Sequence, residues 1–370
     1  MTTAALTACP ACGTPAAPSA RFCEACGHEL PERATTVVGA APAAAPAAAQ
    51  PAIASATSTG PAPCRECGGV VDPDGYCETC GAKAPLARDR LVEQPQAWVA
   101  GVSDRGLRHH RNEDALALAA DAAPGSRAVL VVCDGVSTSE DSDVASLAAA
   151  RAARDVLAGS RPRGLGTGSA LTAVIGAHLG AAADAASDAV ARATAPDHGD
   201  SPPSCTFVAA VVAGDRVVVG VVGDSRAYWV PDAGEPLLLT VDDSWAVEQI
   251  AAGVPRAEAE SGPQAHAITR WLGVDAPDHT PRVTSAAVGD PGWLLLCSDG
   301  LWNYSSTADD VAALVRRTAT ACAGEPLATA AALVDWANGE GGHDNITVAL
   351  ARLGTTPGRP AEQTNEEGSR

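Results

Sequence analysis

Apolar runs of about four to eight residues recur between residues 97 and 351, closed by Gly, Asp, Asn or Pro. Runs of this length, rich in Val and Leu and bounded by turn residues, read as strands. The pattern predicts strands at 97–103, 115–119, 128–133, 205–212, 216–222, 226–230, 236–240, 282–288, 293–298 and 345–351. Gly214 and Asp215, between two Val-rich runs, read as a hairpin turn. Ala-rich stretches with Leu or Val at three- and four-residue spacing predict helices. They lie at 143–158, 168–193, 244–252, 264–271, 307–317 and 325–337. Hairpin-linked strands with clustered helices suggest an α+β domain, antiparallel sheets with helices packed outside.

Two of the runs share one plan. Residues 128–135 read Ala-Val-Leu-Val-Val-Cys-Asp-Gly, and residues 293–300 read Trp-Leu-Leu-Leu-Cys-Ser-Asp-Gly. A carboxylate at the exit of a buried strand stands on a rigid support. The following Gly lets the chain turn and lets another group come close. Asp134 and Asp299 therefore read as halves of one metal site.

Ahead of this domain the periodicity lapses. Residues 31–62 are mostly Ala, Pro, Thr and Ser, a linker with too little bulk to order itself. Residues 82–95 read as a second link into a main domain at 95–353, and 354–370 as a disordered polar tail. Eight of the twelve cysteines form Cys-x-x-Cys pairs, each followed by Gly. Cys9, Cys12, Cys23 and Cys26 fall in residues 8–30; Cys64, Cys67, Cys77 and Cys80 fall in residues 63–84. Two knuckles per unit supply four thiolates, a set suited to tetrahedral zinc, and the short spacing fits a zinc ribbon. A redox role for Cys-x-x-Cys is the alternative, and the matched pairs argue against it. Two structural zinc ions are expected, and their binding should be the folding free energy of these units. The other cysteines, Cys133, Cys205, Cys297 and Cys322, read as small buried hydrophobes.

The net charge of -19 disfavours nucleic acid as a partner. No apolar run is read as reaching the roughly 20 residues of a membrane span. The N-terminus has no basic or apolar signal segment, so a cytoplasmic protein without a membrane partner is expected. More acids then join the opening pair. Asp224 follows an apolar run, Asp344 precedes one, and Glu113 and Asp114 precede another. Each alone could be a turn residue bonding its own backbone. Five such segments against apolar strands, without a matching set of Lys or Arg, point to a hard divalent ion.

In chain order the motifs are Arg-Asn-Glu-Asp (111–114), Val-Cys-Asp-Gly (132–135), Gly-Asp-Ser-Arg (223–226), Cys-Ser-Asp-Gly (297–300) and His-Asp-Asn-Ile-Thr (343–347). This series resembles the metal-dependent Ser/Thr protein phosphatases, the PPM or type 2C family, over residues 97–352. The resemblance implies an α-β-β-α sandwich of two antiparallel sheets flanked by helices. It also implies a binuclear Mn²⁺ or Mg²⁺ centre that activates water to hydrolyse phosphoserine and phosphothreonine on proteins. On this basis Asp134 bridges both ions, Gly135 offers its carbonyl to one, and Asp299 and Asp344 complete the other. Asp224 matches an acid at a third metal, and Glu113 and Asp114 match acids that hold metal-bound waters. Phosphorylated proteins are the implied substrates, with a bacterial Ser/Thr kinase or its substrates as partners.

Two departures from the family pattern stand out. The family's phosphate-gripping Arg, four residues before the Glu, is His109 here, flanked by Arg108 and Arg111. If the stretch is extended, residues 109, 111 and 113 share a face. His109 and Arg111 then face substrate and Arg108 faces away, unless a bulge reverses this. A cationic phosphate contact is expected from His109, Arg111 or Arg108. After Gly135 the loop runs Val136-Ser-Thr-Ser-Glu-Asp-Ser-Asp143, without the family's His, so proton donation must come from elsewhere. Residues 241–271 match the family's mobile flap by position. The leading reading is an active phosphatase with the ribbons for regulation or docking. The alternative is a pseudophosphatase acting as a phosphoprotein-binding scaffold.

Overall fold

The computed structural model describes residues 64–354, apart from 65–66, 82–83, 85, 140, 162–167, 195–198, 260, 262–263 and 265–266. It also describes two short strands near the N-terminus, β1 (Thr7–Ala8) and β2 (Pro15–Ala16), paired antiparallel. Cys9, Cys12, Cys23 and Cys26, the 31–62 linker and the tail from residue 355 lie outside the described residues. The chain divides into two compact units, Met1–Ala62 and Pro63–Arg370.

The second unit opens with the second ribbon and the 3-10 turn Ala87–Asp89. Strands β3 (Arg90–Gln96), β4 (Val99–Asp104), β5 (Ala115–Ala120) and β6 (Arg127–Cys133) follow. Helices α1 (Ser142–Gly159) and α2 (Gly168–Ala193) come next, then β7 (Ser204–Cys205), β8 (Phe207–Ala213), β9 (Arg216–Val222), β10 (Arg226–Pro231) and β11 (Leu237–Leu238). Two short helices, α3 (Trp245–Ala251) and α4 (Arg256–Ala259), lead to β12 (Leu272–Gly273), β13 (Arg282–Ala287) and β14 (Gly292–Cys297). The chain ends through α5 (Asp299–Trp302), α6 (Ala308–Ala321), α7 (Pro326–Gly339) and β15 (Ile346–Leu353).

Two large antiparallel sheets result, in the orders β11-β10-β14-β15-β4-β3 and β13-β9-β8-β6-β5, while β7 and β12 pair on their own. Alternation along β6 explains the stacking. Leu130 and Val132 enter the layer between the sheets, with Leu294, Leu296 and Trp229 opposite. Val129, Val131 and Cys133 face α1 and α2. On β14, Trp293, Leu295 and Cys297 turn outward to α6 and α7. Strands buried on both faces read as unbroken apolar runs, which is why the sequence exposes them so clearly. The expected α-β-β-α sandwich is the observed fold.

Four expectations need correction. Residues 90–95 are not link: β3 pairs with β4 at a sheet edge, where Pro95 is tolerated. No helix spans 264–271. Ile268 instead bridges Ser244, and the Thr269 N–H donates to Asp243 O at 2.9 Å. The stretch 105–114 is not an extended strand but turns at 106–108 and bends at 110–111. Finally, α2 is long and apolar enough to cross a membrane by length and composition, a feature its Ala content hid. Its Ile175, Leu179, Ala182, Ala186 and Val190 belong to the core beneath β9 and α1.

Candidate metal centre

The sandwich delivers its acids to one end. β6 and β14 run out at Asp134 and Asp299, β15 begins two residues after Asp344, and β5 begins just after Asp114. Asp224 stands in the turn from β9 to β10. Asp299 departs slightly from expectation, since it opens the short helix α5 rather than a simple turn. The two glycines do what the paired motif predicts. A Cβ on Gly135 would lie 2.6 Å from Glu113 O, and one on Gly300 would lie 2.0 Å from Asn345 O. Only Gly lets these acid-bearing segments come together.

Beneath the acids runs a network of small polar side chains. Asp114 is fully buried, and its Oδ2 accepts from Ser298 Oγ at 2.7 Å and lies 2.8 Å from Thr347 Oγ1. Thr347 Oγ1 also lies 2.8 Å from Ser103 Oγ, which accepts from Asn112 Nδ2 at 2.9 Å. Asn345 accepts from the Glu113 N–H at 2.7 Å and donates to Arg105 O and Arg111 O. Sequence reasoning missed Ser103, Ser142, Ser298, Asn345 and Thr347. The available signal was that three of them stand next to, or within three residues of, a predicted acid inside the quoted motifs.

Asp114, Asp134, Asp224 and Asp299 are held against their ordinary ionisation. Burial pushes Asp114 up to about 7, helped by Asp344 and Asp299 and opposed by the Ser298 and Thr347 hydroxyls. Burial pushes Asp299 up to about 6, with Asp344 adding to it, although Asp134 and Asn303 hydrogen bonds favour its charged form. Asp134 is raised well above the carboxylate range by burial and then by Asp114, Asp299, Asp344 and Asp224. Asp224 is raised by burial, Asp299 and Asp242, against Arg226. Asp134 and Asp299 keep part of their surface open, but dense protein behind them makes burial the main cause.

One atom tests whether a cation fits. Asp114 Oδ1 is buried and has no hydrogen-bond partner. A buried carboxylate oxygen left unsatisfied, among acids that repel it, is a place for a hard cation. The donor set is all oxygen, as Mg²⁺ or Mn²⁺ prefers.

The three candidate phosphate contacts differ in their commitments. Arg111 is tied down: Nη2 lies 2.8 Å from Glu113 Oε1, Nε donates to the same oxygen at 2.9 Å, and Nη2 donates to Ser139 O at 3.3 Å. Ser142 Oγ donates to that Glu113 oxygen at 2.6 Å. His109 lies between two acids, with Nε2 3.2 Å from Asp344 Oδ1 and Nδ1 3.7 Å from Glu113 Oε2. Arg108 is exposed, and its backbone N–H donates to Gly342 O at 3.2 Å beside the Asp344 loop. Arg226, from Gly-Asp-Ser-Arg, is committed to other partners. It pairs with Asp242 at 2.7 Å and stacks 3.7 Å over the Trp302 ring. The flap segment has a small core of its own, Ala246, Ile250, Val254 and Ala259. Its root is fixed by buried Asp243, which takes Arg270 at 3.2 Å, Arg282 at 2.7 Å and the Gly223 N–H at 3.2 Å.

The second ribbon supplies a separate site. The ligand atoms of Cys64, Cys67, Cys77 and Cys80 lie within 4.8 Å of one another. Among the described residues no group of three or more carboxylates is drawn as close. The two knuckles copy each other: Gly68 N–H donates to Cys64 O and Gly81 N–H to Cys77 O, both at 2.8 Å. Backbone amides of Cys80 and Thr79 draw the Cys77 thiol down to about 6, against burial. Cys67 goes the other way, to about 12: the Gly69 amide favours its thiolate, but the sulfurs of Cys80 and Cys77 outweigh it.

The protein phosphatase 2C family profile matches residues 105–337, and a double zinc ribbon profile matches residues 9–85. The serine/threonine protein phosphatase PstP of Mycobacterium tuberculosis is 34% identical over 147 residues, 40% of this chain and 27% of that protein. The serine/threonine phosphatase stp of Listeria monocytogenes is 33% identical over 154 residues, 41% of this chain and 57% of that protein. The chain thus spans little more than half of these relatives at most. Among solved structures, the S. agalactiae serine/threonine phosphatase superposes with a TM-score of 0.57 at 25% identity, covering 72% of this chain and 100% of the other. The catalytic domain of PstP in complex with two manganese ions gives a TM-score of 0.53 at 26% identity, covering 72% and 100%. With the family profile matching well over half of its length, the chain belongs to the protein phosphatase 2C family.

Proposed function

We propose that the chain hydrolyses phosphoserine and phosphothreonine on proteins at a divalent-metal centre, with its ribbons as a docking or regulatory arm. The observation that carries this reading is the buried acid set around the unpartnered Asp114 oxygen. Two or three Mn²⁺ or Mg²⁺ ions would relieve that repulsion. Asp134 and the Gly135 carbonyl, Asp299 and Asp344 would hold two of them, Asp224 a third, and Glu113 and Asp114 would bind their waters. Bound there, the ions would supply a water of lowered pKa and positive charge to stabilise a phosphoryl group.

The remaining tasks fall to the chain's own side chains. Arg111 and Ser142 orient Glu113, and His109 links Glu113 to the Asp344 loop. Arg108, exposed beside that loop and in no ion pair among the described residues, is the cation available to a substrate phosphate. Two structural zinc ions would be held, one by the four-thiol group of ribbon 2 and one by its sequence copy in ribbon 1. Substrates of a bacterial Ser/Thr kinase are the partners this chemistry fits. A second reading, a phosphoprotein-binding scaffold with little turnover, is favoured by the engagement of Arg111 with Glu113.

Mn²⁺-dependent hydrolysis of a phosphothreonine peptide decides between them. The wild type should turn over, and Asp299→Ala should lower kcat/KM about 1000-fold or more, an effect of the size seen when one transition-state contact is removed. Activity that survives Asp299→Ala rules out the metal centre, and binding without turnover in the wild type selects the scaffold.

A further inference from the structure

In sequence, one residue separates the last described position of ribbon 2 from the first turn of the main domain. Ala84 still belongs to the ribbon: its N–H donates to Gly75 O at 2.7 Å, and its side chain packs with Cys64, Val71 and Cys77. Leu86, only two residues on, opens the 3-10 turn Ala87–Asp89, and its N–H is capped by the Asp89 carboxylate at 2.9 Å.

That turn is stitched to the segment carrying Glu113 and Asp114. The Arg105 N–H donates to Asp89 O at 2.8 Å, and the Arg105 guanidinium lies 3.7 Å from the Asp89 carboxylate. Asn112 Nδ2 donates to Arg88 O at 3.2 Å, and Asn112 Oδ1 accepts the Asp114 N–H at 3.2 Å. The Arg88 side chain takes the other route. Its Nη2 donates to Asp143 O at 3.0 Å and Ser146 Oγ at 3.3 Å, in the first turns of α1. Ser146 Oγ in turn donates to the Glu113 carbonyl. Each of the two acids is thus one residue removed from Arg88, one through its backbone and one through its side chain.

Arg88 occupies this place against its own solvation. Its Nη1 is buried and has no hydrogen-bond partner, and burial draws the guanidinium below its ordinary range while Asp114 and Asp143 oppose the shift. A half-buried cation with a buried, unpaired nitrogen is unfavourable as filler. Its position makes sense as a joint among the ribbon tether, α1 and the 112–114 segment.

We propose that Arg88 is a positioning residue that couples the state of zinc ribbon 2 to the placement of Glu113 and Asp114, so that the ribbon sets divalent-metal affinity at the phosphatase centre. This rests on the reading of that centre as a Mn²⁺ or Mg²⁺ site. The ribbon then acts through a connection one residue long in sequence, and its loss is felt as weaker metal binding before any loss of fold.

The test uses the full chain, with Mn²⁺ binding followed by calorimetry and phosphopeptide kcat and KM measured across Mn²⁺ concentrations. Arg88→Ala should weaken Mn²⁺ binding about tenfold, as replacing outer partners of metal ligands does. Its kcat should recover at saturating Mn²⁺, and Arg88→Lys should restore most of the affinity. A Cys64→Ser, Cys67→Ser double variant should weaken Mn²⁺ binding to a similar extent in the wild-type background and add little in the Arg88→Ala background. Arg88→Gln takes the place of Arg88→Ala if the latter does not fold. Unchanged Mn²⁺ affinity in the Arg88 variants, or losses that simply multiply with the Cys changes, overturns the proposal. A wild type that binds no Mn²⁺ is a different result, and it overturns the reading of the centre itself.

Discussion

The four thiols of ribbon 2 and the acids at one end of the sandwich are both candidate metal ligands, but they are built on opposite principles. The sulfurs belong to a unit whose buried apolar set is little more than Val71 with Cys64 and Cys77 themselves. Here the ligands are the core, and what they bind decides whether the unit folds. The carboxylates instead stand on strand ends backed by three apolar layers, one between the sheets and one outside each. That scaffold exists without them and forces like charges together. A cation would therefore give the ribbon its fold, whereas it would give the sandwich relief from repulsion.

The largest effects should come from removing one ligand on each side. Asp134→Asn should lower phosphopeptide kcat/KM about 1000-fold while raising the Tm of the metal-free main domain by a few degrees, because a buried acid that repels its neighbours is neutralised. Cys77→Ser should do the reverse in kind: amide protection across residues 64–84 is lost in hydrogen exchange, and the Tm of the main domain stays within about 1 °C. A drop in Tm for Asp134→Asn, or a folded ribbon in Cys77→Ser, would erase the contrast.

The next effect is on pH. Asp114 and Asp299 keep protons up to about 7 and about 6 in the folded domain. Unfolded, both would lose them near pH 4, so between about pH 4 and pH 7 the folded state binds more protons. Their stabilisation is present at the acid end and is lost as pH rises through 6 and 7. Asp278, drawn down to about 2 by the Thr280 amide, acts only below this window. The chelated protein should lose about 5 °C of Tm from pH 5 to pH 7.5. Saturating Mn²⁺ should abolish or reverse the slope, since cations compete with those protons. A chelated Tm that climbs over this interval would show that the acids do not repel one another.

The same contrast explains what could be read in the sequence. β6 and β14 are unbroken apolar runs because both faces are buried, and each acid marks where such a run breaks. The Cys-x-x-Cys-Gly spacing exposes ribbon 2 for a different reason, because its chemistry is local. What stayed hidden depends on contacts between distant segments. β3 is a polar edge strand containing Pro95, and only its pairing with β4 reveals it. Ser103, Ser298 and Thr347 look like ordinary strand positions until register brings them around Asp114. The spacing of 109, 111 and 113 suggested one face of an extended strand. The chain bends there, and His109 and Arg111 reach Glu113 by turning instead.

The smallest expected effect tests how far the rigid scaffold reaches beyond the strands. The Asp344 loop is not a strand end of β14 or β6; it arrives from α7 through Gly341 and Gly342. Tyr304, just past α5, holds it from the outside. Its hydroxyl accepts the His343 N–H at 3.0 Å and lies 2.8 Å from His343 Nδ1, and its ring stacks on the imidazole and meets Trp336 edge-on. Asp299 opens α5 and Asp344 follows His343, so this one phenol joins the two acid-bearing segments. Tyr304→Phe keeps the ring contacts and removes the hydrogen bonds, a loss of about 1 kcal/mol. If the loop owes its placement to that clamp, Mn²⁺ affinity should fall about threefold to fivefold with Tm lowered by no more than about 3 °C. Unchanged Mn²⁺ affinity would mean that Asn345 and the β15 ladder hold Asp344 unaided, so that all of the acids, and not only those at strand exits, are carried by the sheets.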